Sequence, residues 1–233
     1  MLKRKIKINS IMTIISIIFG AIFFVSSVSA EISLSGNVYA NGKYIWRGQN
    51  LGNAEATSYD LTLGFAGVNL VLFGNMDSIR DHKTTELDVT LNYGTNFGIM
   101  GISGGYTYYT FPGLEPDSSQ EIYLTLVADV LLQPSISVYG DFASGNGTYI
   151  LFSAGHSFDI KSATVNVGAS VGYNVNQWTG STGFSDLPIS VTTIVPLGEK
   201  ISLSQKVVAS FSLDQTNYSN EFYGGISIAY KFF

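Results

Sequence analysis

The sequence contains no cysteine and few charged residues. Without cysteine there are neither disulfides nor thiolate metal sites. Charged residues make up 12% of the chain, whereas soluble domains usually carry about 25%. Beyond residue 30, no segment reaches the roughly 18 consecutive apolar residues of a membrane-spanning helix. Because 45% of the residues are nevertheless hydrophobic, this composition favours strands in lipid, where only helices and closed barrels satisfy their backbone groups.

The first thirty residues have the composition of a secretory signal peptide. Four basic residues between positions 3 and 7 precede an apolar run over 11–28, and Val28-Ser29-Ala30 supplies the small residues of a cleavage site. An uncleaved membrane anchor is the alternative, but the run is short and polar residues interrupt it. The sequence therefore predicts a cleaved signal peptide over 1–30 and a single exported domain over 31–233.

The predicted mature chain is strongly acidic. All 17 acidic residues follow residue 30 and four of the 12 basic residues precede it, which leaves a net charge of −9. This charge argues against nucleic acid as a partner and against adhesion to anionic lipid.

In the stretch from Ile32 to Gly48, even positions are mainly apolar and odd positions are mainly polar. Since successive strand side chains point to opposite faces, one face is apolar and ends in Tyr44 and Trp46. The other face is polar and ends in Lys43 and Arg47. A strand of about 17 residues is far longer than the 5–6 typical of soluble domains and is typical of a membrane barrel. Tyr44 and Trp46 are then expected in an outward aromatic girdle.

The same period of two recurs along the whole chain and predicts eleven further strands. They cover 58–66, 68–77, 84–93, 99–111, 121–130, 135–143, 148–158, 163–175, 189–195, 201–213 and 222–232. The connections alternate between long and short, as extracellular loops and periplasmic turns do. We therefore predict an all-β fold, a transmembrane antiparallel up-and-down β-barrel of about 12 strands in the bacterial outer membrane, in contact with its lipid. A secreted β-sandwich also alternates, but the polar faces here carry Ser, Thr, Asn and Gly instead of Lys and Glu.

The inward-facing charges fall into two predicted walls. Barrel closure places the last strand beside the first, so the basic residues share one wall opposite the acidic residues. The basic wall comprises Lys43, Arg47, Lys206 and Lys231; the acidic wall comprises Asp60, Asp77, Glu86, Asp88, Glu121, Asp129 and Asp141. Opposed walls produce a transverse field that filters ions, and the excess of acids predicts a weak preference for cations. For Arg47, structural pairing with Asp60 or Glu86 is favoured over contact with a ligand.

The sequence offers no catalytic constellation. His82 falls in a predicted external loop, and His156 and Ser157 are adjacent in a strand and so face opposite sides. A barrel hydrolase needs its serine and histidine within hydrogen-bond reach. We therefore predict neither an enzyme nor a cofactor or metal site.

The reading KYIWRGQ at Lys43–Gln49 resembles the Y-x-F/W-R-G signature of the Gcw_chp family of TorF-type porins. The likeness extends over most of the chain after residue 30 and includes Gly104-Gly105-Tyr106, Phe111-Pro112-Gly113 and Glu121–Tyr123. The resemblance implies a small exported outer-membrane barrel that acts as a porin, and it does not supply a substrate.

The C-terminus carries outward aromatic residues of the kind that the barrel-assembly machinery reads. Tyr230 and Phe232 complete the predicted girdle, although one more residue, Phe233, follows. The function expected from these features is passive diffusion of small polar solutes or ions. The alternative is a non-conducting barrel with a structural or adhesive role.

Overall fold

The computed structural model describes residues 31–52, 55–78 and 81–233. The predicted signal peptide, 1–30, lies outside the described residues. Within these ranges the chain forms β1 (Ser33–Asn41), β2 (Tyr44–Trp46), β3 (Gln49–Gly52), β4 (Ala56–Phe65), β5 (Val68–Asp77), β6 (Thr84–Phe97), β7 (Met100–Thr110), β8 (Ser118–Ala128), β9 (Ser135–Asp141), β10 (Gly147–Ile160), β11 (Ala163–Val175), β12 (Thr182–Phe184), β13 (Asp186–Pro196), β14 (Ile201–Ser212) and β15 (Glu221–Lys231). In the described part of the chain, no helix has the length and apolar character needed to cross a membrane.

Twelve of these strands close into one antiparallel barrel. Consecutive strands pair from β4 through to β11, β13 follows β11, and the sheet continues through β14 and β15 to β1 and back to β4. The pairing of β15 with β1 joins the two ends of the chain, with Ser35 opposite Lys231 and Asn41 opposite Gly225. The predicted fold class and strand number are thereby confirmed.

The period of two separates the outer and inner faces of the barrel. Leucines such as Leu61, Leu63 and Leu72 are exposed on the outer face, where lipid covers them in a membrane. The inner face carries small polar side chains that bond across neighbouring strands, as Thr125 does with Ser137 at 2.8 Å.

The two ends of the barrel differ in their connections. At one end, which we call the short-turn end, Ala66 and Gly67 join β4 to β5 with φ values of 52° and 81°. Two positive φ values in a two-residue hairpin loop define a type I′ turn. The other end, the long-loop end, carries the connections 42–55, 78–83, 111–117, 142–146, 176–185 and 213–220.

The predicted first strand, 32–48, is wrong beyond Asn41. β1 ends there, and Tyr44–Gly52 forms a separate hairpin of β2 and β3, which we call the lumenal hairpin. Arg47 and Gly48 adopt φ values of 49° and 75°, so the chain reverses in a type I′ turn where the prediction has a continuous strand. The predicted strand over 121–130 is also too long, because β8 ends at Ala128.

Candidate functional site

The lumenal hairpin crosses the interior of the barrel at the long-loop end. Leu87 and Val89 of β6 are exposed on the outer face. Glu86 directly precedes Leu87 in the same strand, so its side chain faces inward. The hydroxyl of Tyr44 donates to Glu86 Oε2 at 2.6 Å. The ring of Trp46 meets the inward ring of Tyr109 edge to face, with 6.3 Å between centroids. Starting beside β1, the hairpin therefore reaches the wall formed by β6 and β7.

Arg47, at the tip of the hairpin, forms a bidentate ion pair with Glu121 of β8. Nη1 lies 2.6 Å from Glu121 Oε2 and Nη2 lies 2.8 Å from Oε1. The Arg47 side chain is 11% exposed and that of Glu121 is 1% exposed. Glu121 also accepts hydrogen bonds from Gln177 Nε2 at 2.9 Å and from the Tyr109 hydroxyl at 3.0 Å. A buried ion pair persists only when its remaining hydrogen-bonding groups are also satisfied, and this pair meets that condition.

Aromatic rings enclose the Arg47 guanidinium. Its central carbon lies 4.3 Å from the ring centroid of Trp46, 4.0 Å from that of Tyr139 and 5.1 Å from that of Tyr149. Such contacts between a cation and a ring face are attractive when water is excluded. Burial lowers the pKa of Arg47, but its hydrogen bonds with Glu121 offset this effect and the net shift is upward. The guanidinium therefore remains charged at the centre of the lumen.

The position of Gln177 is set locally by Asn174 near the end of β11. Asn174 Oδ1 accepts from the backbone N–H of Gln177 at 3.1 Å, and Asn174 Nδ2 donates to its carbonyl at 3.1 Å. These bonds turn the chain inward after β11 and direct the Gln177 side chain at the ion pair, where its Oε1 accepts from Arg47 at 2.5 Å.

The base of the lumenal hairpin is fixed to β15. Lys43 Nζ lies 2.6 Å from Glu221 Oε2, and Asn50 Nδ2 donates to Glu221 Oε1 at 2.9 Å. Because Glu221 begins the strand adjacent to β1, both ends of the hairpin are tied to the barrel wall. The hairpin is held at its base by Glu221 and at its tip by Glu121.

The turn itself packs closely against β13. A Cβ atom on Gly48 would lie 2.7 Å from Asp186 Cγ. Asp186 in turn accepts hydrogen bonds from Ser185, Tyr149 and Ser210 at 2.7, 3.2 and 3.3 Å. Glycine is therefore required at this position both for its φ and for its lack of a side chain.

The lumenal hairpin has a cavity on each side. The vestibule cavity, about 270 Å³, lies between the hairpin and the 111–117 loop. The central cavity, about 370 Å³, lies against Arg47 and the inward residues Leu151, Ser170 and Tyr223. Trp46 lines both cavities, so the hairpin is the partition between them.

The predicted outward girdle is wrong for Tyr44 and Trp46, which lie inside the barrel. The cause is the turn at Arg47-Gly48, which carries both rings away from the wall before they reach lipid. Tyr230 is exposed on the outer face of β15, and Phe232 is exposed just beyond it, with 4.8 Å between their ring centroids. Their role as girdle residues at the short-turn end stays a prediction.

The four predicted basic residues do not lie together on one wall. Lys43 and Arg47 lie outside the barrel strands and pair with Glu221 and Glu121. Lys206 of β14 shares the inward face of Ser204, and Lys231 of β15 shares that of Ser227. Their part in conduction stays a prediction.

The predicted acidic residues occupy several distinct places. Asp60 accepts from Asn37 and Tyr39, both at 2.8 Å, and is not a partner of Arg47. Asp77, Glu86 and Asp88 lie on the adjacent strands β5 and β6. Asp129 is exposed in the turn after β8, so its predicted place on the acidic wall is wrong.

Asp141 has a structural environment at the end of β9. The Ser119 hydroxyl lies 2.7 Å from both carboxylate oxygens of Asp141 and donates one hydrogen bond that they share. Asp141 Oδ1 also accepts from the N–H groups of Ala143, Gly145 and Asn146. These bonds organise the compact 142–146 connection, which explains why this loop is short at the long-loop end.

Several residues of the site are not predicted from the sequence. They are Tyr109, Tyr149, Gln177, Asp186 and Glu221. Their common feature is contact with the lumenal hairpin or with its ion pair, so only the placement of the hairpin identifies them. The available signal is the Arg-Gly dipeptide between aromatic residues, since a Gly at the second loop position favours a type I′ hairpin.

No protein-family model and no curated protein matches this sequence, so the resemblance to the Gcw_chp family stays a prediction. Solved structures do match the fold. The KdgM porin is 14% identical, with a TM-score of 0.62, over 85% of this chain and 99% of that chain. The NanC porin is 11% identical, with a TM-score of 0.59, over 84% of this chain and 98% of that chain.

A third similar structure is the translocator domain of the autotransporter NalP from Neisseria meningitidis. It is 11% identical, with a TM-score of 0.50, over 96% of both chains. At these identities the matches establish the fold, which is that of outer-membrane β-barrels.

Proposed function

We propose that this chain is an outer-membrane channel for passive diffusion of small polar solutes or ions, with the lumenal hairpin as its constriction. The observation that carries the proposal is the placement of the hairpin, fixed across a closed barrel by the Arg47–Glu121 pair. A channel needs a polar path inside an apolar exterior, and this barrel has both. The similar folds of the KdgM and NanC porins support the same function.

The cavities on the two sides of the hairpin support a path past it. They share Trp46 and lie at the long-loop end and in the middle of the barrel. Inward serines and threonines then line the way towards the short-turn end, among them Ser153, Ser170 and Ser190 of β10, β11 and β13. Solutes that pass the hairpin meet a surface of small hydroxyl groups, which suits polar solutes without selecting one of them.

A weak preference for cations follows from the charges that remain after pairing. Two of the predicted basic residues, Lys43 and Arg47, are neutralised by Glu221 and Glu121. Among the described lumenal residues, Lys206 and Lys231 are then outnumbered by carboxylates. These are Asp60, Glu86 and Asp186. A negative lumen raises the local concentration of cations.

A non-conducting barrel is the second candidate, and the same hairpin favours it. The Arg47 guanidinium packs against the rings of Tyr139 and Tyr149 and is nearly buried. If no path remains beside it, the barrel has a structural or adhesive role.

Recordings in planar lipid bilayers separate these candidates. Purified protein should insert with stepwise increases in current, and asymmetric KCl should give a reversal potential of the sign expected for a cation-preferring channel. Asp129→Asn is a matched control, because this exposed carboxylate lies in a turn at the short-turn end. Silence at all voltages contradicts the channel and supports the second candidate, and a clear anion preference contradicts the proposed selectivity.

A further inference from the structure

The vestibule cavity is walled by a continuous chain of aromatic rings. Tyr109 lies between Trp46 and Phe111, with centroid separations of 6.3 and 6.4 Å. Phe111 meets Trp178 edge to face at 5.7 Å. All four rings line the cavity, so its wall is largely apolar. Three segments of the chain contribute them: the hairpin, β7 with its following loop, and the 176–185 connection.

Every charged residue that lines the vestibule cavity, among the described residues, is acidic. They are Asp77, Glu86 and Glu115. Glu86 is 6% exposed and Asp77 is 7% exposed, whereas Glu115 lies exposed in the 111–117 loop. Arg47 lines the central cavity and pairs with Glu121. The positive charge of the hairpin is therefore matched by a carboxylate and does not line the vestibule cavity.

We propose that the vestibule cavity binds a small organic cation that carries an apolar ring, such as an aromatic quaternary ammonium compound. Ring faces attract cations, and the attraction grows where water is excluded. Carboxylates at the same cavity add charge complementarity and disfavour anions. The cavity volume of about 270 Å³ is just below the range of roughly 300–1,000 Å³ for drug-sized ligands, so it suits a ligand of one ring.

This inference rests on the proposed function, because it names the solute class that the channel admits beside its constriction. Trp46 is the link, because it lines both the vestibule cavity and the central cavity. A ligand in the vestibule therefore lies against the partition that it would have to pass.

Tryptophan fluorescence reports on this site directly. The chain contains two tryptophans, and both line the vestibule cavity. Detergent-purified protein would be titrated with benzyltrimethylammonium, with benzyl alcohol as a neutral probe and with benzoate as an anionic probe. We expect a saturable change in emission with the cation, and binding of the other two weaker by about tenfold or more, because neither has a positive charge to interact with the carboxylates.

Two conservative variants test the carboxylates. Glu86→Gln retains an oxygen that accepts from Tyr44, and Glu115→Gln changes an exposed loop residue with little risk to folding. Each should weaken binding of the cation by about three- to tenfold while leaving that of benzyl alcohol unchanged. Asp129→Asn should bind as the unaltered protein does. Equal affinities for the cation and benzyl alcohol, or no saturable change with the cation, would overturn the inference.

Conductance in KCl, measured on the same preparations, distinguishes this inference from the proposed function. A conducting barrel that does not bind benzyltrimethylammonium overturns the site alone. A silent barrel that binds the cation overturns the channel and leaves a binding site at the long-loop end.

Discussion

At the residue scale, Arg47 connects three parts of the chain that are distant in sequence. Its guanidinium pairs with Glu121 of β8, donates a hydrogen bond to Gln177 of the 176–185 connection, and packs against Tyr139 and Tyr149. The fixed, planar geometry of the guanidinium suits a bidentate carboxylate partner and ring faces together, which a lysine does not. The Arg47 side chain therefore anchors the tip of the lumenal hairpin to the barrel wall.

Removal of Arg47 should destabilise the barrel. Arg47→Ala leaves the buried carboxylate of Glu121 without its ion-pair partner, which costs about 3–5 kcal/mol when one member of a buried pair is removed. Arg47→Lys should be intermediate, because it keeps the charge but loses the bidentate contact. The measurement is the free energy of unfolding by denaturant in detergent micelles. Lys161→Ala, in an exposed turn, is the control, and equal stability of this variant and Arg47→Ala would contradict the role of the pair.

A double variant tests whether the cost comes from the stranded carboxylate. Arg47→Ala combined with Glu121→Gln removes both charges, so it should be more stable than Arg47→Ala alone. A double variant less stable than the single one would show that Glu121 has a separate structural role, for example through its hydrogen bond from Tyr109.

Gly48 gives a prediction with a close internal control. Gly48 and Gly113 have φ values of 75° and 73°, so alanine should cost about 1–2 kcal/mol at either position through backbone conformation. Only at Gly48 does the added Cβ meet a neighbour, Asp186, whereas nothing lies within 4 Å of the Cβ position at Gly113. Overpacking adds typically about 1–3 kcal/mol, so Gly48→Ala should be the less stable variant in the same unfolding assay. Equal stabilities would mean that the tip does not contact β13.

At the element scale, the lumenal hairpin is the feature that departs from a plain barrel. Asn41 pairs directly with Ala56, so β1 and β4 are neighbours and the residues between them are free to fold elsewhere. They fold inward because aromatic and charged side chains find partners there: Tyr44 with Glu86, Trp46 with Tyr109 and Arg47 with Glu121.

Fluorescence quenching by brominated lipids tests the placement of the hairpin. In a Trp178→Phe variant, Trp46 is the only tryptophan, and inside the barrel it should not be quenched by bromines on lipid chains. Adding Tyr230→Trp places a second tryptophan on the exposed outer face and should restore quenching. Strong quenching of Trp46 alone would instead put it in an outward girdle, as a continuous first strand predicts.

The barrel itself was predictable from the sequence for a physical reason. A wall strand has lipid on one side and a polar lumen on the other, so its composition must alternate with a period of two. The hairpin was not predictable in this way, because its strands alternate as well and the pattern of Tyr44 to Trp46 continues that of β1. The Arg47-Gly48 turn was readable locally, but Glu121, 74 residues away, is identified only by closure of the barrel. Asp129 was misplaced because alternation does not mark the residue at which a strand ends.

At the scale of the whole molecule, an apolar exterior and a polar interior are combined with a partition across one end. Lys43 and Arg47 pair with carboxylates of the barrel wall, and these ion pairs hold the hairpin in place. If the barrel conducts as proposed, the remaining lumenal carboxylates set the sign of the field that a solute meets. In the proposed channel, the lumenal hairpin sets the width of the path.

Single-channel conductance of a hairpin-deleted barrel tests this claim most directly. Residues 42–55 would be replaced by an Asn-Gly turn, which suits neighbouring antiparallel strands and joins Asn41 to its partner Ala56. Circular dichroism would first establish that the β content is retained. We predict a larger conductance than that of the unaltered protein in the same KCl solution, and a conductance equal to that of the unaltered protein would contradict the account.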